Sequence, residues 1–192
     1  MIIAFPVFPG AEELDLAGPW EGLTLARDYG EVDLELITVG EGPGPVRMRG
    51  GLAVVPDHEF HSAPEVDAII VPGGPGTRDD AASAPVVEWL RERRETPLLA
   101  SVCTGAFLLA RAGILDGRTA TTHHHRVDEL REQHPQVRVV RGLRVVDQGS
   151  VVTAAGVTAG IDLGLQLVNR FFGRQLANRV ADVMEYRAEQ FV

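Results

Sequence analysis

Two stretches of this chain are apolar or small at every position, and both run straight into a turn of small residues. Ala68-Ile-Ile-Val-Pro72 leads into Gly73-Gly74, and Leu98-Leu-Ala-Ser-Val102 leads into Cys103-Thr104-Gly105. A strand with one wet face alternates apolar and polar residues, so strands without alternation must be covered on both faces, as in the parallel sheet of an α/β protein. Helical patterns of ten or more residues between the strands point the same way.

The remaining elements follow from periodicity and breakers. Ile2 to Phe8 reads as a strand ending at Pro9-Gly10, Asp15 to Tyr29 as a helix, and Val32 to Val39 as a half-buried strand. Leu52 to Pro56 is a further short extended piece, Ser83 to Arg94 a helix, and Gly105 to Ala112 a helix stopped by Gly113. Beyond these come an extended Arg118 to Thr122, a helix near Arg126 to His134, strands at Leu143 to Asp147 and Ser150 to Ala154, and helices at Val157 to Phe172 and Arg174 to Glu189. Val157, Ile161, Leu165, Val168 and Phe172 form a helical core stripe, with Gly160 and Gly164 allowing close contact. Arg91, Arg93 and Arg94 alternate with acids and read as a solvated face. No repeat or long linker divides the chain, so one domain over residues 1–192 is expected.

Composition removes whole classes of chemistry. All 18 basic residues are arginine. Without lysine there is no Schiff base and no G-x-x-x-x-G-K-[ST] phosphate loop. One cysteine, Cys103, excludes an internal disulfide and any multi-cysteine metal site. A formal charge of −9 with no basic stripe argues against nucleic acid as a direct ligand. The apolar opening is short, lacks a basic flank and is broken by Pro6 and Pro9, so it is a strand and not a signal peptide. No run approaches the length of a membrane helix. A cytoplasmic location, with a reduced thiol, is the expectation.

Ligands of open α/β sheets gather at the carboxyl ends of the strands, where Cys103 falls. Ala100-Ser-Val-Cys-Thr-Gly-Ala106 has the form of a nucleophile elbow, a sharp strand-to-helix turn flanked by small residues. The helix start behind it is expected to lower the cysteine pKa. A lone cysteine is otherwise commonly inert core filler. Gly73 and Gly74 end the strand expected beside that of Cys103, and their N–H groups with that of Thr104 could form an oxyanion hole. Glu12, Glu13 and Asp15 follow the first strand, so a carboxylate could reach the same edge; Asp15 could instead cap its helix.

With these segments in place, the chain resembles the DJ-1/PfpI superfamily and, within it, the isocyanide hydratase (isonitrile hydratase) branch. The resemblance rests on Phe8-Pro-Gly10 with Leu14-Asp-Leu-Ala-Gly-Pro19, on Val71-Pro-Gly-Gly74, on Ser101-Val-Cys-Thr-Gly105, on Ala120-Thr-Thr-His123 and on Thr153-Ala-Ala-Gly-Val-Thr-Ala-Gly-Ile-Asp162. It implies a flavodoxin-like three-layer α/β sandwich, a homodimer, Cys103 as the reactive thiol and Asp15 against its sulfur. Aspartate, where many members carry glutamate, points to that branch. The implied reaction is hydration of an isocyanide to an N-substituted formamide. Cys103 is nucleophile and Asp15 general acid and base, with Thr104 and Gly74 orienting the intermediate and Gly156 and Val157 lining the pocket. No metal or organic cofactor is required, and the partner is a small-molecule substrate.

Where related proteins commonly have Ala-Thr-Thr-His-Trp, this chain has Ala120-Thr-Thr-His-His-His125. His123 keeps the place of the histidine that neighbours the cysteine; His124 replaces an aromatic pocket wall with a wetter ring. In an extended segment His123 and His125 could share one ion while His124 could not, and His58-Glu-Phe-His61 lacks an H-E-x-x-H helix, so surface or pocket histidines are the expectation. Glyoxalase-type conversion of dicarbonyls would use the same site. The resemblance also extends to the sensor half of AraC-type regulators, a reading that requires a helix-turn-helix segment not expected within Met1–Val192. Redox sensing through Cys103 would need an intermolecular disulfide.

Overall fold

A computed structural model describes residues 1–187. In chain order the elements are β1 (Ile2–Pro6), α1 (Glu13–Gly30), β2 (Glu35–Gly40), β3 (Val46–Arg47), β4 (Ala53–Val54), β5 (His58–Glu59) and β6 (Ala68–Val71). They continue with α2 (Asp80–Glu92), β7 (Leu98–Val102), α3 (Gly105–Arg111), β8 (Thr119–Ala120), α4 (Val127–Gln133), β9 (Arg138–Val139), β10 (Val145–Asp147), β11 (Val151–Ala154), α5 (Ala159–Phe172) and α6 (Arg174–Val183). Short 3₁₀ turns occupy Pro75–Arg78 and His124–Arg126.

The central sheet has seven strands in the order β10-β11-β7-β6-β1-β2-β5. All its pairings are parallel except β10 with β11. Leaving out the edge strands β5 and β10, the order β2-β1-β6-β7-β11 is that of a flavodoxin-like doubly wound sheet.

The unalternating apolar strands are explained by what covers each face. Ala4, Ile69, Val71 and Leu99 point into one core with Val86, Leu90, Leu108, Leu109 and Leu130 of α2, α3 and α4. Ile3, Phe5, Ile70, Leu98, Ala100 and Val102 point into a second core with Leu23, Leu163, Leu167 and Val180 of α1, α5 and α6. Successive residues of β6 thus enter opposite cores, giving three layers. Helix α1 lies close on α5: a Cβ on Gly164 would stand 2.8 Å from Pro19 Cα.

Register sets the site. Ser101 of β7 is level with Val71 of β6 and with Thr153 of β11. The three strands therefore end side by side, delivering Gly73, Cys103 and Ala155 to one edge.

Several local expectations change. Leu52 to Pro56 does not join the main sheet; only Ala53–Val54 is strand, paired antiparallel with β3, and Leu52 and Val55 are exposed. Val157 precedes α5 and has a φ of 41°, so it is not part of the helical stripe. Arg93 is not a solvated residue: its guanidinium donates to the Ala63 and Pro64 carbonyls and to Glu65, with the side chain 16% exposed. The last helix stops at Val183, while the end expected at residues 188–189 lies outside the described residues. Among the described residues no helix is long and apolar enough to cross a membrane.

Candidate active site

Cys103 follows β7 directly and has a φ of 56°, a left-handed conformation that costs an L-residue about 1 kcal/mol. The turn is held from both sides. The Cys103 N–H is shared between the Ala154 and Ala155 carbonyls, both at 3.0 Å, and its own carbonyl accepts the Thr122 hydroxyl at 2.8 Å. These contacts make the elbow: the strand ends, the chain reverses, and the side chain is left facing α1.

Asp15 meets it there. It is fully buried in the first turn of α1, yet it does not cap the helix, because its Oδ2 accepts the Gly73 N–H at 2.9 Å. Oδ1 is buried with no hydrogen-bond partner, and the Cys103 thiol is among the groups that act on the carboxyl. The Gly73 carbonyl in turn accepts the Glu12 N–H at 2.8 Å. Gly73 can bridge α1 and the elbow only because it lacks a side chain; a Cβ would lie 2.5 Å from the Thr104 N and 2.8 Å from Asp15 Oδ2. Gly74, at φ 116°, donates its N–H to Thr104 Oγ1 at 2.9 Å. Both glycine N–H groups are thus occupied, by Asp15 and Thr104, and are not the open donors of an oxyanion hole.

Burial dominates the electrostatics. It pushes the Asp15 carboxyl up from 3.8 to about 7, helped by the charge of Glu12 and opposed by the Gly73 N–H and the Cys103 thiol. It also pushes the thiol up to about 12, with the Asp15 charge adding to the rise. The N–H groups of Val157 and Thr104 and the Thr104 hydroxyl pull the other way but are outweighed. This reverses the expectation of a lowered cysteine pKa: the helix behind the elbow supplies one N–H, whereas burial and a neighbouring carboxylate both penalise the thiolate. The two groups share one desolvated space.

His123 borders the site through Gly156, where a Cβ would stand 2.4 Å from its Cδ2. Burial first, and then the neighbouring His124, His125, Arg126 and Arg78, hold its pKa below the ordinary value. The segment enters a 3₁₀ turn and is not extended, so the three imidazoles cluster, His123 and His124 stacked with ring centroids 4.5 Å apart and His125 tilted against His124 at 3.9 Å. Among the described residues no group of three metal-binding side chains is arranged around a common point.

Cys103, Asp15, Thr104, Gly73, Gly74 and Val157 therefore converge, with Gly156 and His123 at the margin. Thr122, Thr158 and Asp162 stand in the motifs quoted above but carry no role there, and Arg144 and Tyr186 beside the Val157 turn have no local signal in the sequence. A thiol beside a buried acid can make a covalent bond to an electrophilic carbon and move a proton to or from it.

The chain matches the DJ-1/PfpI family over residues 1–170. It belongs to that family. Isonitrile hydratase of Pseudomonas putida is 33% identical to this DJ-1/PfpI protein over 186 residues, covering 96% of this chain and 78% of that one. The HTH-type transcriptional regulator CdhR of Pseudomonas aeruginosa is 32% identical over 179 residues, 93% of this chain but only 53% of the regulator. The chain thus spans about half the length of that relative. Among solved structures, a ThiJ/PfpI family protein from Pseudomonas syringae has a TM-score of 0.85 at 31% identity, over 98% of this chain and 76% of that one. Drosophila melanogaster DJ-1beta has a TM-score of 0.83 at 21% identity, over 97% of this chain and 98% of that one, a likeness of fold. Enzymes and regulators both occur among the relatives of this DJ-1/PfpI chain.

Proposed function

We propose that this protein hydrates an isocyanide, R–NC, to the N-substituted formamide R–NH–CHO, as a hydro-lyase acting through Cys103 and Asp15. The observation that carries the reading is the buried carboxyl of Asp15 beside the Cys103 thiol, with an affinity for its proton centred at about 7. An acid with that pKa can both give and take a proton near neutrality. The 33% identity with an isonitrile hydratase over nearly the whole chain supports the choice of substrate.

In the first half, Cys103 Sγ adds to the terminal carbon of the isocyanide. The C–S bond forms, the thiol proton passes to Asp15, and Asp15 delivers a proton to the same carbon, giving the thioimidate R–N=CH–S. In the second half the water oxygen adds to that carbon while Asp15 takes one of its protons and passes it to the nitrogen, giving R–NH–CH(OH)–S on Cys103. The C–S bond then breaks as the C=O bond forms, the hydroxyl proton passes through Asp15 back to the thiolate, and the formamide leaves. One water is consumed, and the balance needs neither metal nor organic cofactor. Thr104 orients the elbow through Gly74, and Gly156 and Val157 form the opposite wall with His123. The small-molecule site operates in a homodimer, to be checked as a solution mass twice that of one chain.

The deciding experiment supplies an aryl or alkyl isocyanide and, separately, methylglyoxal to wild type, Cys103→Ala and Asp15→Ala, following formamide or lactate. Formamide from wild type alone is expected, with losses of at least about 10²-fold in each variant. Isocyanide turnover that survives Cys103→Ala overturns the mechanism. Lactate without formamide moves the assignment to dicarbonyl chemistry at the same thiol.

A further inference from the structure

The turn from Ala155 to Thr158, between β11 and α5, backs the elbow: the Ala155 carbonyl accepts the Cys103 N–H at 3.0 Å, and the Val157 N–H is among the groups that favour the Cys103 thiolate. Val157 does so from a φ of 41°, a conformation that β-branched residues avoid. Something outside the turn must hold it there. The Ala155 N–H donates to the Arg144 carbonyl at 2.8 Å, while the Ala155 carbonyl accepts the Cys103 N–H. The Arg144 guanidinium then reaches across the turn, donating from Nε to Asp162 Oδ2 at 2.6 Å and from a terminal nitrogen to Thr158 Oγ1 at 3.2 Å. Asp162 is 5% exposed in the first turn of α5, and the Tyr186 hydroxyl lies 3.2 Å from each of its oxygens.

Arg144 thus grips both ends of the strained turn, its backbone on Ala155 and its side chain on Thr158 and Asp162. A buried carboxylate needs such a partner, and a guanidinium that sets Nε on Asp162 and a terminal nitrogen on Thr158 fixes direction as well as charge. We propose that Arg144 and Asp162 are positioning residues for the reactive thiol, their ion pair holding the Ala155–Thr158 turn so that its Ala155 carbonyl and its Val157 N–H stay seated against Cys103. The proposal rests on Cys103 as the reactive group of the site but not on isocyanide as its substrate. The charged group facing the thiol is Asp15 on α1. Arg144 and Asp162 act from the opposite side, through the backbone, and His123 packs on Gly156 between them.

The test reads the thiol directly, as the rate of Cys103 alkylation by iodoacetamide against pH on the full chain, with thermal unfolding measured in parallel. A hydrogen bond to a thiolate is a charge-assisted one, so its loss in Asp162→Asn and Arg144→Gln is expected to slow alkylation about tenfold near neutrality and to move the rise of the profile to higher pH. Arg144→Lys, which keeps the charge and the backbone grip on Ala155, is expected to recover most of the rate. Arg93→Gln, breaking a comparable arginine anchor far from the elbow, is expected to lower Tm and leave the alkylation profile unchanged. Profiles of Asp162→Asn and Arg144→Gln that superimpose on wild type overturn the proposal, whatever their Tm. Should Asp162→Asn fail to fold, Thr158→Val removes only the hydroxyl end of the grip: a fall of about threefold or more in rate supports the proposal, and no change overturns it. Because alkylation needs no isocyanide, failure of the positioning role and failure of the hydratase reading are separable.

Discussion

The Gly73 N–H donates to Asp15 Oδ2 across 2.9 Å, so the acid carried by α1 is anchored to the end of β6 and not to its own helix. The same peptide unit region accepts the Glu12 N–H, and a Cβ at Gly73 would meet Thr104 as well as Asp15. Gly73→Ala is therefore expected to push Asp15 away from Cys103 and to reduce turnover by about 10²-fold or more. Gly156→Ala makes a useful contrast. The three atoms nearest its Cβ all belong to the His123 ring, a side chain and not backbone, so a change in KM with less than about a tenfold change in kcat is expected. Steady-state kinetics of the two alanine variants distinguish these outcomes.

Asp15 also makes stability depend on pH. Its folded pKa of about 7 lies above that of an unfolded aspartate, so the folded state holds an extra proton between roughly pH 4 and 7. Raising pH through that window removes this proton and leaves a buried anion; stability contributed below the unfolded pKa is lost and does not return above 7. The full effect is at most about 4 kcal/mol. Asp15→Asn lacks it, so the Tm of the variant relative to wild type is expected to climb as pH rises from 4 to 8. A constant difference across that range would contradict the burial of the carboxyl.

The same substitution is expected to separate nucleophilicity from turnover. The charge of Asp15 is one of the causes that raise the thiol, after burial itself. Asp15→Asn should therefore move the iodoacetamide profile of Cys103 to lower pH while formamide production falls by about 10² to 10⁴-fold. A more reactive thiol in a less active enzyme would show that Asp15 serves proton transfer and not thiol activation.

Thr104 is a structural support with a measurable cost. Its hydroxyl oxygen accepts the Gly74 N–H in a fully enclosed position, 3% exposed. Thr104→Val keeps the shape and strands that N–H, which is expected to destabilise the fold by about 1–3 kcal/mol and to lower Tm accordingly. Thermal or urea unfolding of the variant gives the value.

Much of this was legible in the residues alone. Ala68 to Val71 and Leu98 to Val102 could only be strands covered on both faces, because neither has a polar face to offer water. That inference carried the parallel sheet, and the sheet carried Cys103 to its carboxyl edge. The role of Asp15 was legible only as a choice between capping and contact, since a carboxylate in a first helical turn serves either. Local pattern also suffices for the helices α1, α2 and α5, whose apolar spacing exceeds three turns. It fails for Leu52 to Pro56, where β-forming residues lack a neighbouring strand of the main sheet, and for Arg93, whose burial depends on the distant Ala63 and Pro64 carbonyls.

By itself, then, the amino-acid order determined the layered α/β architecture, the elbow at Cys103 and the exclusion of lysine, disulfide and multi-cysteine chemistry. Only the tertiary structure decided that Asp15 turns to Gly73, that Gly73 and Gly74 are occupied donors, that the thiol is pushed up and not down, and that Arg144 grips the Val157 turn from the bend before β10. The physical reason is range. Periodicity and turn propensity act over a few residues, whereas desolvation and hydrogen-bond satisfaction depend on which segments the sheet register brings side by side, and for Asp15, Gly73 and Cys103 those segments are far apart in the chain.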